Sequence, residues 1–149
     1  MKQKIYQINS LKELSILAKK IINNLSPLHI ITLKGELGCG KTAFVQAAAA
    51  VLKIKNRVTS PSFVLTKIYS LPKVKKFQYL YHVDLYRVQQ KTDNNLAEYW
   101  NNPNILIMIE WPERLKNLPR HRVDINIKIL NRETRLFTVR WLGIKQPVR

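Results

Sequence analysis

The spacing of residues 35–42 constrains this chain more than any other feature of its sequence. The segment reads Gly-Glu-Leu-Gly-Cys-Gly-Lys-Thr and matches G-x-x-x-x-G-K-[ST], the Walker A pattern of a phosphate-binding loop. Glycines can adopt positive φ angles and let backbone N–H groups approach a polyphosphate closely. Lys41 is then placed to reach the β- and γ-phosphates, and the Thr42 hydroxyl to ligate Mg²⁺.

The segments on either side of this loop are those that the motif requires. Residues 30–33 form a short, largely β-branched run, which predicts a buried strand. After the loop, apolar residues recur at i, i+3, i+4 and i+7, which predicts a helix with a buried face of Phe44, Ala47, Ala48 and Val51. Bound phosphates would lie at the positive end of this helix. The order strand, loop, helix favours a nucleotide site over a glycine-rich turn with an exposed lysine.

Length and cysteine content limit the class of protein. At 149 residues the chain is predicted to be one domain, 1–149, with a flexible tail at 143–149. Cys39 is the only cysteine, which excludes an intrachain disulfide and fits a reducing compartment. No apolar run approaches the roughly 18 residues of a membrane span, and the N-terminus lacks a secretory signal, so we expect a soluble, cytoplasmic protein.

The charge is strongly basic, with 26 Lys and Arg residues against 9 Asp and Glu residues and a formal net charge of +17. Such a charge predicts attraction to polyanions such as RNA or a nucleotide. Alternatively it reflects composition, because Lys, Ile and Asn are all abundant and the basic residues are scattered along the chain. Both interpretations stay open.

Hydrophobic periodicity predicts an α/β arrangement. Ser10 and Glu13 match a capping box, followed by an apolar helical stripe from Leu11 to Leu25. Residues 105–110 are a continuous apolar run ending in a carboxylate, typical of a central strand buried on both faces. The other predicted elements are strands at 4–8, 64–69 and 79–86, a short helix at 96–100, and an antiparallel hairpin of 123–129 and 137–141. We predict a P-loop NTPase-like three-layer fold with a mixed parallel and antiparallel central sheet.

Two acidic residues are candidates for the chemistry that accompanies a phosphate-binding loop. Such a site needs an acidic group for Mg²⁺ and a group that orients the attacking water. Glu110 ends the apolar run as a Walker B acid does, although it could instead face solvent. Asp84 shares a strand face with His82, although it could instead pair with Arg87 or cap a turn. We interpret His82 as a hydrogen-bonded structural histidine rather than as a base.

Three further residues are weaker candidates. Ser60 and Ser62 flank a proline after the loop helix, where segments that sense a γ-phosphate often lie, but a proline turn explains them equally well. Trp111 follows Glu110 and belongs either to the rim of the site or to the core. A role for these residues therefore depends on where the fold places them.

Four motifs occur in an order and at a spacing that resemble one family. They are residues 33–42, the Ser-Pro-Ser-Phe of 60–63, the Tyr-His-Val-Asp-Leu-Tyr-Arg of 81–87 and the Ile-Glu-Trp-Pro-Glu-Arg of 109–114. Together they resemble the TsaE family, small P-loop ATPases of the bacterial system that makes threonylcarbamoyladenosine in tRNA. The phosphate-binding loop is shared by many families, whereas the last two motifs are much more specific.

The resemblance implies an activity and partners. Members of the family bind ATP and Mg²⁺, hydrolyse ATP slowly, and act with two proteins, TsaB and TsaD. TsaD transfers the threonylcarbamoyl group to adenosine 37 of tRNAs that read codons beginning with A, and ATP hydrolysis resets the complex between turnovers. The chain would therefore meet tRNA through this complex.

The resemblance also implies the residues of the site. Thr42 and Glu110 would hold Mg²⁺, and the catalytic residues would be Lys41, Asp84 and Glu110, with Asp84 as the acid near the γ-phosphate or the water. Ser10 and Arg132 would lie near the nucleoside end of ATP. The remaining contacts to ATP would come from the loop, through Gly38, Cys39, Gly40, Lys41, Thr42 and Ala43.

The chain departs from the family pattern in three places. The family usually has alanine where Cys39 stands and threonine where Ser62 stands, and both changes are small. Residues 88–100 are polar, with a lysine and several asparagines, where the family usually carries an acidic helical segment. This last difference concerns a partner-facing surface and not the nucleotide site.

Two other functions are compatible with parts of the sequence. A small nucleotide or nucleoside kinase would use the same loop, but no arginine-rich lid or second substrate motif stands out. A basic RNA-binding module would use the net charge, but the aromatic and basic interleaving of single-strand binders is missing. Both are therefore kept as alternatives to an ATPase.

Overall fold

The computed structural model describes residues 2–61, 65–73, 76–93 and 95–143. The α-helices in these ranges are α1 (Leu11–Asn23) and α2 (Lys41–Val51), and two 3-10 helices span Leu96–Tyr99 and Pro112–Arg114. None of these helices is long and apolar enough to cross a lipid bilayer. The strands are β1 (Lys2–Ile8), β2 (Ile30–Gly35), β3 (Thr66–Ser70), β4 (Tyr79–Asp84), β5 (Ile105–Glu110), β6 (Arg122–Ile129) and β7 (Arg135–Leu142).

All of these strands form one sheet in the order β1-β7-β6-β2-β5-β4-β3. The middle strands β6, β2, β5 and β4 run parallel to one another. In contrast, β3 pairs antiparallel with β4, and β7 pairs antiparallel with both β6 and β1. The prediction of a mixed parallel and antiparallel sheet is confirmed, and the predicted C-terminal hairpin is β6–β7.

Strand β5 is buried along its whole length, as its unbroken apolar run predicts. Alternate residues of this strand belong to two cores on opposite faces of the sheet. Leu106 and Met108 pack in the larger core with α1 and α2. Ile107 and Ile109 pack in the smaller core under the 3-10 helices and their connections. The fold therefore has three layers, with the α-helices on one side of the sheet.

Helix α1 begins at the predicted capping box, with one difference in its geometry. Ser10 Oγ accepts a hydrogen bond from the Glu13 N–H at 3.1 Å, but Glu13 Oε2 accepts from the N–H of Asn9, at 2.7 Å, rather than from that of Ser10. Leu11, which the predicted stripe includes, is 76% exposed and lines a surface cavity instead. The buried stripe consists of Leu14, Leu17, Ala18 and Ile21.

Helix α2 buries a face that is rotated from the predicted one. Phe44 and Ala48 are buried as predicted, but Val45 and Ala49 join them, whereas 47 and 51 are only partly buried. The helix is rich in alanine and apolar around most of its circumference, so periodicity does not define its inner face.

The predicted strands are present, but several of their boundaries differ from the structure; β1, β6 and β7, for example, begin one or two residues earlier than predicted. The strand predicted at 79–86 ends at Asp84, because Asp84 Oδ1 accepts the N–H of Tyr86 and turns the chain. The strand predicted at 64–69 is β3, Thr66–Ser70. Its predicted first residue lies outside the described residues, as do Ser62 and the predicted tail beyond Gly143.

Candidate functional site

The phosphate-binding loop connects the end of β2 to the start of α2 in the middle of the sheet. Gly38 and Gly40 have φ angles of 80° and 114°, in the left-handed region that favours glycine. At Gly35 glycine is required by space, since a Cβ would lie 2.5 Å from Cys39 Sγ and 2.6 Å from the Ile127 carbonyl oxygen. Gly38 and Gly40 therefore supply positive φ angles in the loop, whereas Gly35 permits close packing against Cys39 and β6.

Lys41 is folded back onto the loop that carries it. Its side chain is buried, and Nζ donates to the carbonyl oxygens of Gly35 at 2.5 Å and Glu36 at 2.9 Å. Nζ also lies 4.3 Å from the centre of the Trp111 ring, within cation–π range. Trp111 itself has a φ angle of 61°, an uncommon backbone conformation for a non-glycine residue. The ammonium group is thus compensated by two carbonyls and an aromatic face.

Thr42 and Glu110 meet at the carboxyl end of β5. Glu110 is buried, so it does not face solvent. Its carboxylate accepts a hydrogen bond from Thr42 Oγ1, which lies 2.9 Å from Oε1 and 3.1 Å from Oε2. The same carboxylate is 2.5 Å from His82 Nε2. The oxygen atoms of the two predicted Mg²⁺ ligands therefore lie within hydrogen-bond distance of each other.

Asp84 ends β4 directly beside Glu110 in the strand register. Its Oδ2 accepts a hydrogen bond from Ser60 Oγ at 3.0 Å, and its Oδ1 accepts the N–H of Tyr86 at 3.0 Å. Asp84 therefore does cap a turn, one of its alternative interpretations, and at the same time lies at the site. Ser60 reaches the site through this contact, although it belongs to no regular element.

A cavity of about 400 Å³ lies between the loop and the strand ends. Lys41, Thr42, Asp84 and Glu110 all line it. A larger groove of about 750 Å³ lies between α1 and α2 and contains none of the predicted site residues. The smaller cavity is also lined by residues with weaker or no sequence support, among them Ser60, Arg87 and Trp111.

A second cavity, of about 370 Å³, lies on the other side of the loop and is lined by Ser10, Cys39 and Ala43. Arg132, predicted at the nucleoside end, is not among its lining residues, whereas Arg135 is. Arg135 Nε donates to the Cys39 carbonyl oxygen at 3.1 Å. The alternation of β7 places Arg135 on the buried face of the strand, a sequence signal that could have distinguished the two arginines.

The sheet, the loop between β2 and α2 and the two strand-end carboxylates define a mixed α/β protein of the P-loop NTPase type. A family model described as threonylcarbamoyl adenosine biosynthesis protein TsaE matches residues 8–137. The chain therefore belongs to the TsaE family, as the sequence motifs predict.

Relatives named tRNA threonylcarbamoyladenosine biosynthesis protein TsaE match nearly the whole chain. The protein from Rickettsia prowazekii is 34% identical over 140 residues, covering 91% of this chain and 93% of the relative. The protein from Bacillus subtilis is 32% identical over 148 residues, with coverages of 96% and 89%. The crystal structure of YdiB from Bacillus subtilis superposes with a TM-score of 0.74 at 29% identity, covering 95% of this chain and 87% of YdiB.

Proposed function

We propose that this protein binds ATP with Mg²⁺ and hydrolyses it slowly, as the ATPase subunit of the bacterial complex that forms N6-threonylcarbamoyladenosine. The modified nucleoside lies at position 37 of tRNAs that read codons beginning with A. TsaD and TsaB would be the partner proteins, and tRNA would be met through them. Family membership supports the pathway, and the geometry of the site supports the activity.

One observation carries the proposal. The phosphate-binding loop, Thr42, Glu110 and Asp84 all face a single cavity at the carboxyl ends of adjacent parallel strands. Ligands bind at this edge of open α/β sheets, and the N-terminus of α2 adds a positive dipole end. A triphosphate placed in the cavity would meet Lys41, which would exchange the Gly35 and Glu36 carbonyls for phosphate oxygens.

Thr42 and Glu110 fit the requirements of a Mg²⁺ site. A hydroxyl and a carboxylate are hard oxygen donors of the type that Mg²⁺ prefers. The hydrogen bond between Thr42 and Glu110 brings their oxygen atoms close enough to bind the same ion. Thr42 and Glu110 would hold Mg²⁺, and the ion would supply positive charge that offsets the charge of a triphosphate. Thr42 from α2 and Glu110 from β5 would fix the position of the ion.

Asp84 is the group placed to orient the attacking water. Its two oxygens are already fixed by Ser60 and by the N–H of Tyr86, so the carboxylate holds one orientation at the cavity. Hydrolysis by the isolated chain would be slow, and partner proteins would complete the site. Ser60 would respond to the presence of the terminal phosphate through its hydrogen bond to Asp84.

Calorimetric ATP binding and phosphate release test the proposal with Lys41→Ala and Glu110→Ala. We expect Lys41→Ala to weaken ATP binding and Glu110→Ala to weaken binding only when Mg²⁺ is present. Lys34→Ala is a matched control, because Lys34 is exposed and does not line the cavity. Equal nucleotide affinity in the wild type and both site variants would reject the proposal.

The role of partners is tested with purified TsaB and TsaD. Adding both proteins, tRNA and an activated threonylcarbamoyl donor to the wild type should raise the rate of phosphate release and permit threonylcarbamoyl transfer to tRNA over many turnovers. Glu110→Ala should support neither effect. A wild-type rate that is unchanged by both partners would contradict this part of the proposal and leave ATP binding intact.

A further inference from the structure

His82 lies in the core directly behind the Glu110 carboxylate. Its side chain is fully buried, with a relative exposure of 0%, and its Nε2 is 2.5 Å from Glu110 Oε2. His82 is not among the residues that line the cavity with Lys41 and Asp84. The ring therefore acts on the site only through Glu110.

The other ring nitrogen determines where His82 carries its proton. Nδ1 is buried and has no hydrogen-bond partner within the described ranges. A neutral imidazole has one N–H donor and one bare acceptor nitrogen. A proton on Nδ1 would leave a buried donor unpaired and would set the Nε2 lone pair against the lone pairs of a carboxylate. A proton on Nε2 instead donates to Glu110, so the structure favours the Nε2–H tautomer.

Glu110 is held from two sides by this arrangement. Thr42 on α2 contacts both carboxylate oxygens, and His82 on β4 contacts Oε2. In the register between β4 and β5, Asp84 is opposite Glu110 and His82 is opposite Met108, so His82 reaches Glu110 diagonally on the same face. The orientation of the carboxylate is fixed by neighbours on two different elements.

We infer that His82 is a positioning residue that orients Glu110 for Mg²⁺ and thereby raises the affinity for the nucleotide when Mg²⁺ is present. This inference rests on the proposed function, because it takes Glu110 as a Mg²⁺ ligand. Loss of a hydrogen-bond partner that orients a metal ligand typically weakens metal affinity by about 10–100-fold. The structural role that the sequence predicts for His82 is thereby extended to the site.

The test compares three replacements of His82. Glutamine can place its amide nitrogen near the position of Nε2, asparagine places its amide near Nδ1, and leucine offers no donor. For each variant, calorimetry gives the affinity for the ATP analogue AMP-PNP in Mg²⁺ and in EDTA, and the ratio of the two affinities is the Mg²⁺ enhancement. Met108→Leu is the matched control, since it alters the buried position opposite His82 at nearly constant volume.

We expect His82→Leu and His82→Asn to lower the Mg²⁺ enhancement by about 10-fold or more and to leave the affinity in EDTA nearly unchanged. His82→Gln should recover most of the enhancement. Met108→Leu should match the wild type. An unchanged enhancement in His82→Leu, or recovery by asparagine instead of glutamine, would overturn the inference.

A measurement on the wild type covers the case in which His82→Leu fails to fold. Nitrogen-15 NMR of the histidine ring should show the Nε2–H tautomer for His82, and an Nδ1–H tautomer would overturn the inference. The two proposals also fail differently. Absence of any Mg²⁺ enhancement in the wild type would reject Mg²⁺ binding and the role of His82 together, whereas a normal enhancement in all three variants would reject the role of His82 alone.

Discussion

The ammonium group of Lys41 lies 4.3 Å from the centre of the Trp111 ring, so a cation of the phosphate-binding loop is paired with an aromatic face at the end of β5. Trp111 also packs against Tyr86, with ring centres 5.0 Å apart. The loop and the two strand ends are therefore joined by an aromatic contact as well as by hydrogen bonds. Movement of Lys41 onto a triphosphate would change the surroundings of an indole ring, which can be observed directly.

We predict that ATP binding changes the tryptophan fluorescence and that Trp111→Phe removes this change. The reason is that Lys41 would leave the ring face when it binds phosphate oxygens. Calorimetry should still detect ATP binding by Trp111→Phe. Trp100→Phe serves as the control, because Trp100 does not line the cavity and its replacement should keep the signal. A full fluorescence change in Trp111→Phe would show that the signal does not arise at Trp111 and would contradict this prediction.

Thr42→Val should weaken ATP binding in Mg²⁺ by about 1.5–3 kcal/mol, the range for a hydrogen bond to a charged group. Valine keeps the branched shape of threonine but offers no hydroxyl to Mg²⁺ or to the Glu110 carboxylate. Thr42→Ser keeps the hydroxyl and should stay close to the wild type. Calorimetric titration in Mg²⁺ checks both values. Equal losses of ATP affinity in the two variants would mean that the shape of the side chain, and not its hydroxyl, is responsible.

Gly35→Ala should destabilise the fold by about 1–3 kcal/mol, because the added methyl group overpacks a closed space. Its Cβ would overlap Cys39 Sγ and the Ile127 carbonyl oxygen. Cys39→Ala removes the first overlap but not the second, so the double variant should recover part of the loss. Urea denaturation of the single and double variants measures this coupling. Strict additivity of the two changes would contradict the packing explanation.

Ser10→Ala should lower the free energy of unfolding by about 1 kcal/mol, within the range for loss of an N-cap. The Ser10 Oγ accepts the N–H of Glu13 at the start of α1, and alanine leaves this donor without its protein partner. Ser15→Ala is the control, since the Ser15 hydroxyl only donates back to the Leu11 carbonyl within the helix, and it should change stability by less than about 0.5 kcal/mol. Urea denaturation gives the free energy of unfolding of both variants. Similar losses of stability in Ser10→Ala and Ser15→Ala would contradict a stabilising N-cap at Ser10.

His29 should make stability depend on pH. Burial lowers the pKa of His29 below its usual value of 6.5, an effect only partly offset by hydrogen bonds to the backbone carbonyls of Ile105 and Trp100. Between the two pKa values the unfolded chain binds the proton more readily than the folded chain, so stability falls as the pH drops through about 6.5. The loss levels off below the pKa of the folded state. His29→Gln should reduce this slope, and urea denaturation between about pH 7.5 and about pH 5 measures it. An identical slope in the variant would contradict the assignment.

The candidate site was predictable from the sequence wherever a local pattern determines the position of a side chain. The Walker A spacing places Lys41 and Thr42, and the apolar run of β5 places Glu110 at the edge of the sheet where parallel strands end. The alternation in β4 puts His82 and Asp84 on one face, which the structure confirms. These predictions needed no knowledge of which strands are neighbours.

The remainder of the site depends on neighbours that no local pattern specifies. The compensation of Lys41 by Trp111 requires β5 to lie beside β2, and the contact of Arg135 with the loop requires β7 to lie two strands from β2. The face of α2 was mispredicted because a helix rich in alanine has no polar side to orient it. Pairing between distant segments is therefore the information that the sequence pattern lacks.

Strand β1 pairs with β7 along its whole length, from Lys2 opposite Trp141 to Ile8 opposite Arg135. In the described sheet β7 is the only neighbour of β1, so both edges of β1 stay unpaired in any folding intermediate in which β7 has not formed. Because these two strands are far apart in the sequence, their pairing is a contact of high sequence separation, and we expect it to form late in folding.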